Sequence, residues 1–203
     1  MESAMNEATG NVNTHKGIIF LMGLSLFVCG KLYRQHGHFD AGLFRGILKS
    51  VCRGLVQREL HDAGRSGLSH GEEVYHKYGS GGARGEAESG FNTIFQFGLA
   101  QLTDSQSFND QEMIKCFLAI ASRNDDTNIL YRGGPAVLAA FQNLCNIALE
   151  SFNSGNFSNV VAFCARENIS PGGSADLLAV SIFIRSVMNA DQNDAISFLN
   201  INR

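Results

Sequence analysis

Residues 135–152 read PAVLAAFQNLCNIALESF, and this stretch carries the clearest helical pattern in the chain. Its apolar residues recur every three or four positions and so share one face of an α-helix: Val137, Leu138, Phe141, Leu144, Cys145, Ala148, Leu149 and Phe152. Pro135 suits the first turn of this helix, because an amide hydrogen has no intrahelical acceptor there. The stretch therefore predicts an amphipathic helix that packs one face on a core.

The same period recurs on both sides of this stretch. Apolar stripes with helical spacing lie at residues 18–32, 43–56, 91–102 and 113–121. Residues 175–188 are apolar nearly all round, which predicts a central helix. No segment of useful length alternates apolar and polar residues with period two. The pattern therefore predicts an all-α fold, a single-domain multi-helix bundle over residues 1–203 with glycine-rich site loops.

Composition and charge exclude several classes of protein. The formal net charge of -3 and the scattered basic residues give no footprint for nucleic acid. Five widely spaced cysteines without a Cys-x-x-Cys pair argue against disulfides and zinc, and favour a reduced, cytoplasmic protein. The longest apolar stretch, residues 17–30, is too short to cross a bilayer. It predicts a buried core helix, and we expect no membrane partner.

Two glycine-rich phrases indicate the functional site. SPGGSADLLA at residues 170–179 and GARGEAESGF at 82–91 each place glycines and a carboxylate before an apolar helical pattern. Amides at a helix start can hold anions, glycine allows close approach, and a carboxylate beside phosphate fits Mg²⁺. These phrases predict a polyphosphate and metal site. The connections at residues 61–90 and 123–134 are predicted to be loops, and loops on a helical scaffold commonly carry binding residues.

Two segments with cationic and polar residues could bind the phosphates or their metal ion. Asn13, His15 and Lys16 precede the first core helix, where they could face a phosphate; ordinary capping with exposed side chains is the alternative. Arg84 could clamp phosphate oxygens, and Glu86 could ligate metal or act as a base. A flexible linker with an Arg–Glu pair is the alternative for that segment.

Further acidic residues leave similar alternatives open. Asp125 and Asp126 could share a divalent cation, or could hydrogen-bond the local backbone in a solvated turn. Asp176 in the first turn of its helix could ligate metal, or could only complement the macrodipole. Glu59 and His61 could join a metal site or be exposed. Three histidines are interpreted as surface residues: His36, His38 and His70.

Common catalytic motifs are absent from the sequence. There is no P-loop and no Gly-x-Gly-x-x-Gly after a strand, so neither common type of nucleotide site is indicated. There is also no serine nucleophile elbow and no His-Glu-x-x-His helix.

Four motifs in order resemble the triphosphoribosyl-dephospho-coenzyme A synthase family. They are Asn13-Thr14-His15-Lys16-Gly17, Gly82-Ala83-Arg84-Gly85-Glu86-Ala87, Asp126-Thr127-Asn128 with Arg132-Gly133-Gly134, and Ser170 to Ala179. The resemblance implies an all-α enzyme whose partners are ATP and 3′-dephospho-coenzyme A. In its reaction a ribose 2′-hydroxyl attacks C1′ of ATP, adenine leaves, and the triphosphate stays on the sugar. The product is a prosthetic-group precursor of citrate lyase or malonate decarboxylase, which would later be attached to an acyl-carrier protein.

The resemblance also implies roles for individual residues. Phosphates would be held by residues of all four motifs: Asn13, His15, Lys16, Arg84, Arg132, Gly172, Gly173 and Ser174. Mg²⁺ would lie on three carboxylates that also form the catalytic set: Glu86, Asp126 and Asp176. One of these carboxylates could instead be the general base, with Glu86 favoured.

The chain resembles the C-terminal two-thirds of that family. Members carry a further N-terminal part with a Pro-Gly-x-Val-Asp and a His-x-Asp-Met stretch, neither of which occurs here. A bundle without that part should expose apolar surface and associate with itself or a partner. Two alternatives to the transferase remain: a Mg²⁺-dependent N-ribosyl glycosidase, and a truncated nucleotide-binding relic without activity. Adenine release, with and without the acceptor, separates all three.

Overall fold

The described part of the computed structural model is helical. It comprises residues 15–61, 68–104 and 107–201, with residues 4, 7 and 8; beyond residue 191 only the helix backbone is described. These residues contain no β-strand, which confirms the all-α prediction. They form eight α-helices: α1 (Lys16–His36), α2 (Ala41–Cys52), α3 (His70–Tyr78), α4 (Gly82–Glu88), α5 (Asp110–Ala121), α6 (Thr127–Glu150), α7 (Ser154–Arg166) and α8 (Gly172–Ile201). Shorter π-helical turns lie at Gln57–His61 and Ile94–Gly98, and a 3-10 turn at Leu99–Gln101.

Helix α6 contains the stretch that predicted the fold. Gly134 interrupts it with φ 72° and ψ -175°, so Pro135 begins a second helical part as its ring geometry requires. The predicted apolar face is buried at Leu138, Phe141, Cys145 and Ala148. The periodicity therefore identified both the helix and the face that packs.

The core consists of two clusters that meet at α5. The first gathers α1, α2, α8 and the Ile94–Gly98 turn, and the second gathers α3, α6 and α7. Helix α5 contributes Cys116 and Ile120 to the first cluster and Leu118 and Ala121 to the second. This helix therefore joins the two halves of the bundle by burying opposite sides of itself.

Helix α8 holds a central position, as its apolar character predicted. Leu177, Val180 and Ile184 are buried in the first cluster, and the helix packs against α1, α5 and α6. Asp191 joins the C-terminal half of α8 to the end of α1 and the segment that follows it. The Asp191 carboxylate accepts hydrogen bonds from the Phe39 amide at 2.9 Å and the Tyr33 hydroxyl at 3.0 Å.

Helix α1 is longer than its apolar stretch and is only partly buried. Its 21 residues are long and apolar enough to cross a membrane by length and composition, a test that the core helix of a soluble protein also passes. It packs on α8 and α2 with Leu21, Val28 and Leu32, while Leu26 and Phe27 stay more than half exposed. The expected core helix is thus apolar on both faces but buried on one.

The cysteines behave as core residues, as predicted. All five are free thiols and four are buried. Burial raises the pKa of Cys29 to about 11 and that of Cys116 to about 12, so these thiols stay protonated and unreactive.

The prediction of a loop over residues 61–90 is wrong. Two helices, α3 and α4, occupy most of it. A capping box starts α3: the Glu72 amide donates to Ser69 Oγ, and the Ser69 amide donates to Glu72 Oε2. Gly79 ends the helix in the left-handed conformation with φ 75°. The segment 123–134 is likewise helical from Thr127 onward.

Two apolar stripes are divided more than their period indicates. The stripe at 43–56 breaks after Cys52, where Gly54 adopts φ 69°. The Glu88 carboxylate fixes this break by accepting hydrogen bonds from the Gly54 amide at 2.6 Å and the Val56 amide at 3.1 Å. The stripe at 91–102 forms the π and 3-10 turns rather than an α-helix.

Candidate functional site

Five helix starts meet around one cavity of about 490 Å³. Its walls include the first residues of α1, α3, α4, α6 and α8, and its volume lies in the usual range of ligand pockets. Amides at a helix start lack an intrahelical acceptor, and the macrodipole places partial positive charge there. Their convergence favours an anion with several negative charges.

Glycines allow the helix starts to approach one another. A Cβ on Gly82, which has φ 49°, would lie 2.7 Å from Thr127 Cγ2. A Cβ on Gly172 would overlap the Asn128 side-chain amide. Gly172 and Gly173 line the cavity, where the sequence placed them. The glycine-rich phrases thus bring α4 and α8 against the start of α6.

Asp126 ties the start of α8 to the start of α6. One of its oxygens accepts hydrogen bonds from the Asn128 and Ile129 amides at 3.1 and 3.4 Å, which caps α6. The other accepts from the Ser174 amide at 2.8 Å and the Ser174 hydroxyl at 2.9 Å. Burial raises the pKa of Asp126, whose side chain is 1% exposed, and the hydrogen bonds from Ser174 oppose that effect.

These contacts correct two of the predicted roles. Asp126 and Ser174 are buried behind the cavity wall and do not line it. Both Asp126 oxygens point at protein donors, so this carboxylate is not placed to ligate metal or to accept a substrate proton. Ser174 gives its amide and hydroxyl to Asp126, and so does not offer them to a ligand. For Asp126, the structure shows hydrogen bonds to backbone amides, which is one of the two alternatives that the sequence left open.

Glu86 lines the cavity but is engaged by the protein. It lies within α4 rather than in a turn, and its oxygens accept from the Thr93 amide at 2.6 Å and the Thr93 hydroxyl at 3.0 Å. Burial raises the pKa of Glu86, while the hydrogen bonds from Thr93 lower it. Its main contact therefore fixes the start of the Ile94–Gly98 turn.

Asp176 faces the cavity, and its carboxylate makes no hydrogen bond to the described residues. It lies in the second turn of α8, since the helix begins at Gly172 rather than near Ala175. Its Oδ2 rests against Gly17 of α1, where an added Cβ would overlap this oxygen unless the Asp176 side chain moved. Burial, and next the negative charge of Asp126, raise the pKa of Asp176 to about 6. This value suits a group that accepts a proton near neutral pH.

The predicted cationic residues divide into two groups. Lys16 and Arg84 line the cavity. Arg84 Nε lies 2.6 Å from Glu59 Oε2, and its guanidinium carbon is 5.9 Å from the Phe20 ring centre. Glu59, considered for a metal site, is therefore an ion-pair partner that orients Arg84.

The remaining predicted phosphate ligands lie elsewhere. Arg132 is exposed, donates to the Asn168 carbonyl at 3.4 Å, and does not line the cavity. His15 is exposed just before α1 and does not line the cavity either. Asn13 lies outside the described residues.

The predicted metal centre is not formed by side chains alone. In the described ranges, no three His, Cys, Asp or Glu residues are grouped closely enough to hold a metal ion. The set of Glu86, Asp126 and Asp176 is not such a group, so these side chains do not hold a metal ion by themselves among the described residues. A cation at this cavity would need most of its ligands from a bound phosphate group.

One cavity residue was interpreted as a surface residue. His70 is the first residue of α3, lines the cavity, and stacks on Tyr131 of α6. The capping-box pattern of Ser69 and Glu72 could have placed His70 at a helix start. The sequence does not show which other helix starts lie close to His70 in the folded protein.

Comparison with known proteins identifies the family of the chain. A sequence model of the CitG family, described as ATP:dephospho-CoA triphosphoribosyl transferase, matches residues 1–195. The chain belongs to this family. The resemblance drawn from the four motifs is thereby confirmed.

Curated relatives cover nearly the whole chain, but the chain does not cover all of them. The 2-(5''-triphosphoribosyl)-3'-dephosphocoenzyme-A synthase of Klebsiella pneumoniae is 36% identical over 197 residues, which are 90% of this chain and 64% of that protein. A Citrobacter koseri protein with the same name, preceded by the word "Probable", is 34% identical over 196 residues. The chain thus spans 64% of the length of both. No solved structure matches the chain.

Proposed function

We propose that the chain acts as a transferase that moves the triphosphoribosyl group of ATP onto the 2′-hydroxyl of 3′-dephospho-coenzyme A. The observation that carries this proposal is the convergence of five helix starts, with Lys16 and Arg84, on one cavity. Such a site suits a triphosphate, because amides and cations there can meet several charged oxygens. The family to which the chain belongs supports the choice of ATP and dephospho-coenzyme A.

The reaction exchanges one bond at C1′ of the ATP ribose. The bond from C1′ to the adenine nitrogen breaks, and adenine leaves with the electron pair. A bond from C1′ to the acceptor oxygen forms, and the hydroxyl proton is released to a base while adenine gains a proton. The sugar passes through an oxocarbenium-like state, as in glycoside hydrolysis. Its positive charge is balanced by the triphosphate that stays attached.

The helix starts would hold the triphosphate. Amides of Gly172 and Gly173 can donate to phosphate oxygens, and Lys16 supplies positive charge at the start of α1. Arg84 has five N–H donors and uses Nε for Glu59, so other donors of its planar group can still meet phosphate. Holding the triphosphate in this way positions C1′ for the attacking hydroxyl, and such positioning contributes to the rate of the transfer.

Asp176 is the residue we propose as the proton acceptor. It faces the cavity, has no hydrogen bond within the described chain, and its pKa is raised to about 6. Glu86, which the sequence favoured, has both oxygens engaged by Thr93. A positioned base of this kind contributes about 10²–10⁴-fold in rate.

We also propose that Mg²⁺ accompanies the triphosphate. Mg²⁺ takes one or two protein carboxylates and completes its coordination with phosphate oxygens and water. Asp125 fits that role, because it is an exposed carboxylate on the cavity wall beside the start of α6. The ion would neutralise phosphate charge when bound.

The cellular setting follows from the same reading. Five free cysteines fit a reducing compartment, so we place the reaction in the cytoplasm. The product would serve as the prosthetic-group precursor of citrate lyase or malonate decarboxylase, before its attachment to an acyl-carrier protein. The resemblance of the motifs supports these assignments.

Adenine release is the test of the proposed function. Purified protein is incubated with ATP and Mg²⁺, with or without 3′-dephospho-coenzyme A, and adenine is measured by chromatography. Release that depends on the acceptor is the expected result. Release without the acceptor would instead identify an N-ribosyl glycosidase, and no release in either case would contradict an active transferase and favour a nucleotide-binding relic.

A further inference from the structure

Two aromatic rings from different helices form a stacked pair at the cavity. The His70 and Tyr131 ring centres are 3.8 Å apart and their planes are inclined by 20°. His70 begins α3 and lines the cavity, whereas Tyr131 lies one turn into α6 and is 41% exposed. An exposed, nearly parallel pair of rings offers a flat face that the protein itself does not cover.

His70 is the aromatic residue at the cavity whose ring the protein leaves partly uncovered. Only one other aromatic residue lines the described cavity, and this is Phe20. Phe20 packs against the first core cluster and carries the Arg84 guanidinium over its ring. His70 is exposed, and Tyr131 covers one side of its ring. A planar ligand group at this cavity therefore has the His70 stack to rest on.

The stack lies close to the helix starts. Tyr131 follows Thr127, the cavity residue that begins α6, by four residues, which is about 6 Å along a helix. Gly172, at the start of α8, lies against Asn128 of the same α6 turn. A planar group on the stack would thus be within reach of a single ribose from phosphates at the start of α8. This is the layout of a nucleotide, with its base at one end and its phosphates at the other.

The pair is also held in place before any ligand binds. The capping box fixes the backbone at the start of α3, with the Ser69 amide 2.7 Å from Glu72 Oε2. Val74 of α3 is buried in the same cluster as Ile129 and Leu130 of α6. Because these contacts already join the two helices, the stack is not needed to hold them together. A preorganised ring pair loses little freedom on binding.

We propose that the His70–Tyr131 stack binds the adenine ring of a nucleotide whose phosphates occupy the helix starts. The inference rests on the proposed function and names the place of the base within that site. Alanine substitution of an aromatic side chain that stacks on a base weakens binding by about fivefold to 150-fold. Adenine is present in both ATP and 3′-dephospho-coenzyme A, so the test must separate the two sources.

Binding measurements on ring variants test the proposal. Tyr131→Leu and His70→Leu remove the flat pair but keep apolar bulk, and Tyr131→Phe is the matched control that keeps the ring. Each protein is titrated calorimetrically with ATP, with 3′-dephospho-coenzyme A and with inorganic tripolyphosphate, which has no base. Thermal unfolding checks that each variant folds.

The expected result is a loss confined to ligands with a base. Both leucine variants should bind ATP about fivefold more weakly or worse, which corresponds to about 1 kcal/mol, while tripolyphosphate binding and the Tyr131→Phe control stay unchanged. A loss for 3′-dephospho-coenzyme A instead of ATP would also support the stack and would assign it to the acceptor.

Three outcomes would overturn the proposal. Unchanged affinity of the leucine variants for both nucleotides, in a protein that binds them, would remove the stack from the site and leave the proposed function intact. An equal loss for tripolyphosphate would show a merely structural role. Wild-type protein that binds neither nucleotide would overturn this inference and the proposed function together.

Discussion

Three carboxylates near the cavity share a raised pKa but differ in what their oxygens contact. Burial is the largest cause of the raised pKa of Glu86, Asp126 and Asp176. Thr93 engages the first, and Ser174 with two α6 amides engages the second. Asp176 alone among the three points an unbonded carboxylate into the cavity of the described chain. These contacts distinguish Asp176, the proposed proton acceptor, from two carboxylates that hold protein amides and hydroxyls.

The Asp176→Asn variant is expected to be more stable than the wild type at pH 7 and to lose adenine release. The folded-state pKa of about 6 lies above the ordinary value of 3.8, so the folded protein prefers the protonated acid. Stability from that preference is fully present below pH 3.8 and is lost as the pH rises through about 6. Asparagine carries no charge and avoids this loss.

Thermal unfolding from pH 4 to pH 8 measures the effect. The gain of Asp176→Asn over wild type should grow with pH and vanish near pH 4. Asp125→Asn is the control, because it removes the same charge from an exposed position. A gain of equal size at every pH would contradict the assignment.

Gly17→Ala is expected to displace the Asp176 side chain and lower adenine release. A Cβ at residue 17 would overlap Asp176 Oδ2, whereas one at Gly23 of the same helix meets nothing within 4 Å. Gly23→Ala should therefore raise the free energy of unfolding by up to about 1 kcal/mol, from helix propensity alone. Equal stabilisation and full turnover in both variants would show that Asp176 tolerates the added methyl group.

At the scale of elements, the contact that organises the site is the bond of Asp126 to two helix starts. Asn is as good an N-cap as Asp, so Asp126→Asn can keep the α6 cap. Its amide nitrogen would then face the Ser174 amide, donor to donor. We expect a loss of about 1–3 kcal/mol in the free energy of unfolding, because a buried donor is left unpaired.

Asp40→Asn is the matched control for that change. Asp40 caps α2 with one hydrogen bond, from the Leu43 amide at 2.7 Å, and is exposed. Urea unfolding of both variants should show a loss in Asp126→Asn and almost none in Asp40→Asn. Similar values in the two would mean that the α8 contact adds nothing to the cap.

Sequence periodicity identified the apolar helices but not the polar ones. The apolar stripe of α6 is continuous, so the sequence predicts it directly. Pro135 marks the start of this stripe, after the interruption at Gly134. Helices α3 and α4 lie where the sequence predicts a loop, because glycines and charges hide any apolar stripe and α4 has only seven residues. The break after Cys52 depends on Glu88, whose partners Gly54 and Val56 lie more than thirty residues earlier. No local pattern records such a contact.

The site itself was predicted in part. Lys16, Arg84, Gly172, Gly173, Glu86 and Asp176 do line one cavity. Ser174 and Asp126 share the same motifs yet turn away from it, because they bond to each other across 48 residues of chain. Motif spacing shows which segments approach the site, whereas the direction of each side chain depends on packing between helices.

At the scale of the whole molecule, an open apolar face on α1 is expected to drive self-association. Gly23, Leu26, Phe27 and Gly30 share this face by helical spacing, and a Cβ on either glycine would meet nothing within 4 Å. Leu26 and Phe27 are 55% and 56% exposed. Exposed apolar surface of this kind commonly marks an interface.

Sedimentation at increasing concentration measures that association. Phe27→Lys should shift the protein toward the monomer, since it places a charge in the centre of the face. Ile147→Lys changes another exposed apolar residue, on α6, and should have no effect. Monomeric wild-type protein at every concentration would contradict the expectation.

The convergence of helix starts also affects how quickly the backbone exchanges with deuterated water. The first amides of a helix have no intrahelical acceptor, so those of Gly172 and Gly173 should take up deuterium early, although α8 is central to the core. A bound polyphosphate would accept hydrogen bonds from these amides and slow their exchange. The beginning of this central helix would then report, amide by amide, whether the cavity is filled.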